Sequence, residues 1–177
     1  MQNDKVRDLT KMSMCVALCC VTAYISFPLP FTPGLVTALT FALSLTAYIL
    51  TPKQTFTVIL IYILLGAAGL PVFAGSQGLS RLLGPAGGFY FAWMLAYPLL
   101  SLAKGENPNF KRYAAANILI AMPITYAGGI ISMMLVLDVN IFEALTMAVL
   151  PFIPGDLLKA TAAAFLGVRL QKALGGR

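Results

Sequence analysis

The chain has 177 residues, of which 59% are hydrophobic and only 10% charged. An ordinary soluble domain is about 25% charged, so a water-facing surface cannot be assembled from this composition and lipid must do the covering. The formal net charge of +6 does not point to nucleic acid, because the basic residues sort, segment by segment, to one side of a membrane.

The charged start MQNDKVRDLTKMSM gives way to apolar sequence at Cys15. No small-residue cleavage site ends that run and further spans follow, so it reads as an uncleaved first helix rather than a signal peptide. The first span is predicted from Leu9 to Phe27, closed by Pro28, Pro30 and Pro33. Cys15, Cys19 and Cys20 all fall on this helix and cannot staple distant parts of the chain. With no histidine present, no metal site is expected, and the cysteines read as small apolar packing residues. Small residues at four-residue spacing, Cys15, Cys19 and Ala23 with Ser13 and Ala17 beside them, allow close helix approach in lipid. Internal packing and docking of a partner membrane subunit both fit that stripe.

The second span is predicted from Gly34 to Leu50, ending at Thr51-Pro52-Lys53, and the third from Thr55 to Gly69. The glycine- and proline-rich stretch Leu70 to Gly87 is too irregular for a span and reads as an outer loop between helices 3 and 4. A fourth span covers Gly88 to Ala103, and the polar segment KGENPNFKR follows. Tyr113 to Leu137 is the fifth, with Pro123 and Gly128-Gly129 as points of kinking or close packing. A short stretch, Asp138 to Pro154, leads to the sixth, Asp156 to Leu174. At about 20 residues per span, six helices use nearly the whole chain. The expectation is an all-α integral membrane protein, a bundle of six transmembrane helices forming one domain over residues 1–177.

Charge orients this layout. With a cytoplasmic N-terminus, the inner segments hold Lys5, Arg7, Lys11, Lys53, Lys104, Lys111, Arg112, Arg169, Lys172 and Arg177, ten of the 12 basic residues. By the positive-inside rule both termini are cytoplasmic. Arg81 and Lys159 are left for the outer side. Charges at membrane depth are costly and usually face a cavity or the bundle interior. Lys159 lies three residues after Asp156, so the two share a helix face. Asp156 as the N-cap of the sixth helix after Pro154-Gly155, with an i,i+3 ion pair, is one reading; a ligand site is the other, and the two are compatible. Arg81 sits in the glycine-rich loop, whose backbone is tolerated at membrane depth only where protein or a water-filled cavity satisfies it. Gly75-Ser76-Gln77-Gly78 is not a phosphate loop, since no Gly-Lys-Ser/Thr follows. No serine or cysteine has a credible base, so the chain is not expected to be an enzyme. A self-sufficient secondary transporter would show repeated halves with discontinuous helices, and no such repeat is visible.

Four stretches carry a family resemblance: FPLPFTPG (Phe27 to Gly34), YILLGAAGLPVFAG (Tyr62 to Gly75), LLGPAGG (Leu82 to Gly88) and PFIPGDLLKA (Pro151 to Ala160). In these the chain resembles BioY, the biotin-specific substrate-binding (S) component of energy-coupling factor (ECF) vitamin transporters. It departs from the family pattern at Leu35-Val36-Thr37-Ala38-Leu39, which keeps the threonine of a Pro-aliphatic-Thr-Leu-Gln stretch but lacks its proline and glutamine. It departs again at Phe89, where tyrosine is common. The resemblance implies a prokaryotic plasma-membrane protein with an outward-facing biotin site roofed by loops. It also implies a transmembrane coupling subunit and two cytoplasmic ATPases as partners, and no cofactor of its own. Biotin has a ureido ring with two N–H donors and a carbonyl, and a valerate carboxylate. Asp156 is then expected to accept from the ureido N–H groups and Lys159 to donate to the ureido oxygen or orient Asp156. Arg81, with Gln77 and Ser76, is the candidate for the carboxylate. Phe73, Leu79, Phe89, Tyr90 and Trp93 are the candidates for apolar packing, and the stripe Cys15, Cys19, Ala23 for docking the coupling subunit. An S component for a different vitamin is the alternative.

Overall fold

The computed structural model describes residues 2–28, 30, 32–75 and 77–174. Its first helix, α1 (Gln2–Ala23), begins well before the predicted Leu9. The charged N-terminal turns are helical too, and Asp8 Oδ2 accepts from Gln54 Nε2 at 3.1 Å, tying them to the next helical pair. After α1 the chain does not go straight into a second helix. It forms a hairpin, β1 (Ser26–Pro28) antiparallel to β2 (Leu35–Thr37), with Phe27 opposite Val36. Proline-rich sequence between the strands cannot donate the amides a helix needs. The predicted second span therefore shortens to α2 (Leu39–Ile49), 11 residues, or about 16 Å at 1.5 Å per residue.

Helix α2 stops where Thr51 N-caps α3 (Pro52–Ala67) through a capping box with Gln54, Pro52 taking the first helical position. The last carbonyls of α2 are covered from another element. Lys104 Nζ donates to the Ala47 and Leu50 carbonyls and Ser101 Oγ to Leu50 O at 2.7 Å. The loop after α3 contains, among the described residues, one short helix, α4 (Leu79–Leu83), before α5 (Gly87–Ala103).

The fifth span is one continuous helical run, Phe110–Leu137, 28 residues long and strongly apolar. It is α6 (Phe110–Ala116), a π-helical turn at Asn117–Ala121, and α7 (Met122–Leu137). Pro123 does not break it, because it follows directly on the widened turn, where its missing N–H and ring are accommodated. The stretch expected as a connection, 138–154, contains α8 (Ile141–Ala148), capped by Asn140 with Glu143. After a 48° bend comes α9 (Ile153–Ala173).

The core is aromatic and tightly packed. Tyr48 stacks on Tyr113 with ring centroids 4.4 Å apart. The α5–α7 crossing is close enough that a Cβ on Gly88 would lie 2.0 Å from the Gly128 carbonyl oxygen. The outside is different in kind: Leu64, Leu95, Leu119, Leu135 and Phe142 are all exposed. One sequence expectation is corrected here. Cys15, Cys19 and Ala23 are 5%, 0% and 1% exposed, packed within the chain itself, so this stripe has no surface left for a partner. The α1 residues that do face outward include Ser13, Met14, Ala17, Leu18 and Val21.

Candidate functional site

Helix α9 starts three residues earlier than the Pro-Gly-Asp sequence suggests, and this decides what Asp156 does. The cap position falls on Phe152, and the Asp156 backbone N–H donates to Phe152 O at 2.8 Å. Asp156 is therefore not the cap, and its carboxylate is released for other contacts. Oδ2 accepts from the Tyr126 hydroxyl of α7 at 2.8 Å. Oδ1 meets Lys159 Nζ at 2.5 Å in an ion pair. Lys159 Nζ donates in turn to the Thr37 carbonyl on β2, at 3.0 Å. The pair is thus fastened on three sides, with side chains only 12% (Asp156) and 18% (Lys159) exposed.

Both residues line a cavity with about 590 Å3 of empty space, the open solvent at its mouth included. Arg81, Phe89, Tyr90 and Trp93 also line it. Tyr90 and Trp93 pack at 4.6 Å between ring centroids, and Phe89 and Phe152 at 6.2 Å, which gives aromatic walls. Arg81 Nε donates to the Tyr90 hydroxyl at 3.3 Å. The guanidinium is placed by a sharp turn at Gly75, whose φ of +89° suits glycine; a Cβ there would sit 3.6 Å from Arg81 Nη1 and 3.3 Å from Leu35. A second space of about 270 Å3 lies behind the first and shares Thr40, Thr125, Tyr126, Asp156 and Lys159 with it. Its wall adds Ser44, Tyr97 and Asn117, and Asn117 Nδ2 donates to Ser44 Oγ at 2.8 Å and to Tyr48 Oη at 3.2 Å.

The structure brings six of the predicted residues to one cavity: Asp156, Lys159, Arg81, Phe89, Tyr90 and Trp93. Others it places elsewhere. Phe73 is buried behind Tyr90, 4.7 Å from its ring, with its own ring filling the space over Gly66. Leu79 is 61% exposed at the start of α4. The Gln77 side chain is exposed and its carbonyl accepts from Ser80 Oγ. Ser76 lies outside the described residues. Thr37, Thr40, Thr125, Tyr126 and Phe152 line the cavity without having been singled out. Thr37 and Phe152 sit inside quoted stretches and were within reach. Tyr126 and Thr125 carry no local signal: Tyr126 matters through its contact with Asp156 across 30 residues of chain, and Thr125 through its place on the cavity wall.

The chemistry of this arrangement is that of recognition. A carboxylate with an adjacent ammonium reads donor and acceptor groups, a guanidinium reads an anion, and aromatic faces take the apolar body between.

Comparison with known proteins agrees with that. A family model described as the BioY family matches residues 1–176. The chain is 34% identical over 168 residues to a biotin transporter BioY of Thermotoga maritima, covering 94% of this chain and 97% of that one. It is 36% identical over 168 residues to a probable biotin transporter BioY of Pyrococcus horikoshii, covering 94% and 98%. The fold is that of a crystal structure of the S-component for biotin from an ECF-type ABC transporter. The TM-score is 0.88 at 23% identity, over 97% of this chain and 94% of that one. With its apolar exterior, the molecule is a helical membrane protein.

Proposed function

Because the chain belongs to the BioY family, we propose that it is the biotin-capturing subunit of an ATP-driven ECF-type importer. The observation that carries this is the Asp156–Lys159 pair on the wall of a cavity that Arg81 also lines. Asp156 accepts from the ureido N–H groups. Lys159, held by Asp156 and the Thr37 carbonyl, keeps a proton for the ureido oxygen. Arg81, braced by the Tyr90 hydroxyl, takes the valerate carboxylate. Phe89, Trp93 and Phe152 cover the bicycle and tail. Charge-assisted hydrogen bonds in a desolvated pocket are the strong kind, and the aromatic walls supply the desolvation.

In this reading the chain acts as one unit with six crossings: α1, the hairpin with α2, α3, α5, the α6–α7 run, and α9. Short α2 is extended toward the outer face by the hairpin, whose facing backbone groups pair between the strands and whose Thr37 carbonyl accepts from Lys159. Ten basic residues on the inner side put both termini in the cytoplasm and the cavity mouth outside. No nucleotide-binding motif occurs in the sequence, so ATP is hydrolysed on partner chains and its energy reaches this one through a coupling subunit in the membrane.

Purified protein titrated with biotin, followed by calorimetry or by the fluorescence of Trp93, the one tryptophan, is expected to saturate at micromolar ligand or below. Asp156→Asn is expected to weaken binding about 10- to 100-fold, the worth of a charge-assisted hydrogen bond. The absence of saturable binding in the unmodified protein would sink the assignment.

A further inference from the structure

Buried polar atoms in folded proteins are nearly always hydrogen-bonded, and each exception asks for an explanation. Among the described residues five buried side-chain atoms have no hydrogen-bond partner: Thr40 Oγ1, Thr55 Oγ1, Trp93 Nε1, Thr125 Oγ1 and Asp156 Oδ1, the last of which is ion-paired with Lys159. Four of these five belong to residues on the wall of the large cavity. They come from four different helices, α2, α5, α7 and α9, so no local sequence feature explains the clustering. Trp93 and Thr125 are each only 6% exposed.

We infer that Trp93, Thr40 and Thr125 are hydrogen-bonding residues that determine ligand specificity, rather than apolar lining. The inference rests on the biotin reading given above and extends it to residues which that reading uses only for packing or not at all. Their chemistry constrains the ligand. An indole N–H can only donate, so Trp93 requires an acceptor. The Asp156 carboxylate can only accept, so beyond its contacts with Lys159 and Tyr126 it takes an N–H or O–H. The threonine hydroxyls can do either, and both lie where the large cavity opens into the polar space behind it. The ligand end that meets these residues must therefore present both donors and an acceptor, as a cyclic urea does. A fatty acid of similar length leaves the Trp93 indole and the Thr40 and Thr125 hydroxyls unpaired and is rejected on that ground.

The test removes hydrogen-bonding capacity while keeping shape. Biotin affinity is measured for Thr40→Val, Thr125→Val and Thr55→Val, the last being the same lesion at an orphan hydroxyl outside the cavity. Thr125→Val and Thr40→Val are each expected to bind about 10-fold more weakly, with Thr55→Val unchanged. In parallel, protein labelled with 15N-tryptophan gives one indole N–H resonance, from Trp93, and biotin is expected to move it downfield as the hydrogen bond forms. That measurement needs no variant to fold. If the unmodified protein binds biotin while both cavity valines keep full affinity and the indole resonance stays in place, the inference is wrong and the biotin reading survives. The same result would mean that water in the inner space satisfies the threonines. If the unmodified protein does not bind biotin, the fault lies in the functional assignment, and this inference falls with it.

Discussion

The carboxylate of Asp156 is held by more than its ion pair. Tyr126 donates to one oxygen from a helix 30 residues away, while Lys159 engages the other and is itself anchored on the Thr37 carbonyl. A carboxylate free to rotate would point its lone pairs over a range of directions; one fixed at both oxygens offers its remaining acceptor sites in a set direction, which lowers the ordering cost at binding. Tyr126→Phe keeps the ring and removes only the donor. It is expected to weaken biotin binding about 3- to 10-fold, less than a charge-assisted ligand contact because the hydroxyl orients the carboxylate without touching biotin, with the melting temperature little changed. The readout that separates positioning from a packing role is a double-mutant cycle with Asp156→Asn. Once Asp156→Asn is in place, the tyrosine hydroxyl has no carboxylate to orient, and its removal is expected to cost almost nothing more.

The elements matter through the places where they touch most closely. Helices α5 and α7 cross at Gly88 and Gly128, and Gly129 carries the Phe89 ring 2.2 Å from where a Cβ would be. That approach sets the rotation of α5, and with it the direction of Phe89, Tyr90 and Trp93 into the cavity. Gly88→Ala would force the backbones apart, since the nearest obstruction is a carbonyl oxygen rather than a movable side chain. The expected result is a loss of about 1–3 kcal/mol of stability, as for other overpacked sites, together with weaker biotin binding. Thermal unfolding in detergent and the same titration check both. An unchanged affinity would show that the cavity walls tolerate a displaced α5. The π turn at Asn117–Ala121 belongs to the same scale. It lets Pro123 sit within a long helix, and it turns Asn117 toward Ser44 and Tyr48, making a polar floor under the inner space.

For the whole molecule, the question is which surface remains for a coupling subunit once the bundle has used what it needs. The small-residue stripe of Cys15, Cys19 and Ala23 is consumed by internal packing, while the neighbouring face with Ser13, Ala17 and Val21 is open. If α1 docks the coupling subunit, it does so by that open face. Ala17→Trp is then expected to leave biotin binding intact and abolish ATP-driven uptake in cells or vesicles containing the full complex. Cys19→Trp, in contrast, is expected to compromise folding and lose both. Full uptake with Ala17→Trp would move the docking surface off α1.

Much of this protein was legible in the sequence, because the forces concerned act locally or through composition. Too few charges for a soluble surface and apolar runs between prolines and glycines told of a helical membrane protein. The PGDxxK spacing put Asp156 and Lys159 on one helix face, since i and i+3 are neighbours on any α-helix. The tertiary structure decided what depends on how elements rotate and cross. It took Asp156 off the helix cap and gave it to Tyr126, and it turned the start of the second span into a β-hairpin. It also sent Phe73 behind the cavity and Leu79 away from it, buried the cysteine stripe, and gathered Thr40, Trp93 and Thr125 from three helices. None of these follows from spacing, because the rotation of a helix about its own axis is set by every side chain it packs against. That is why the ion pair could be read in advance and the unpaired atoms around it could not.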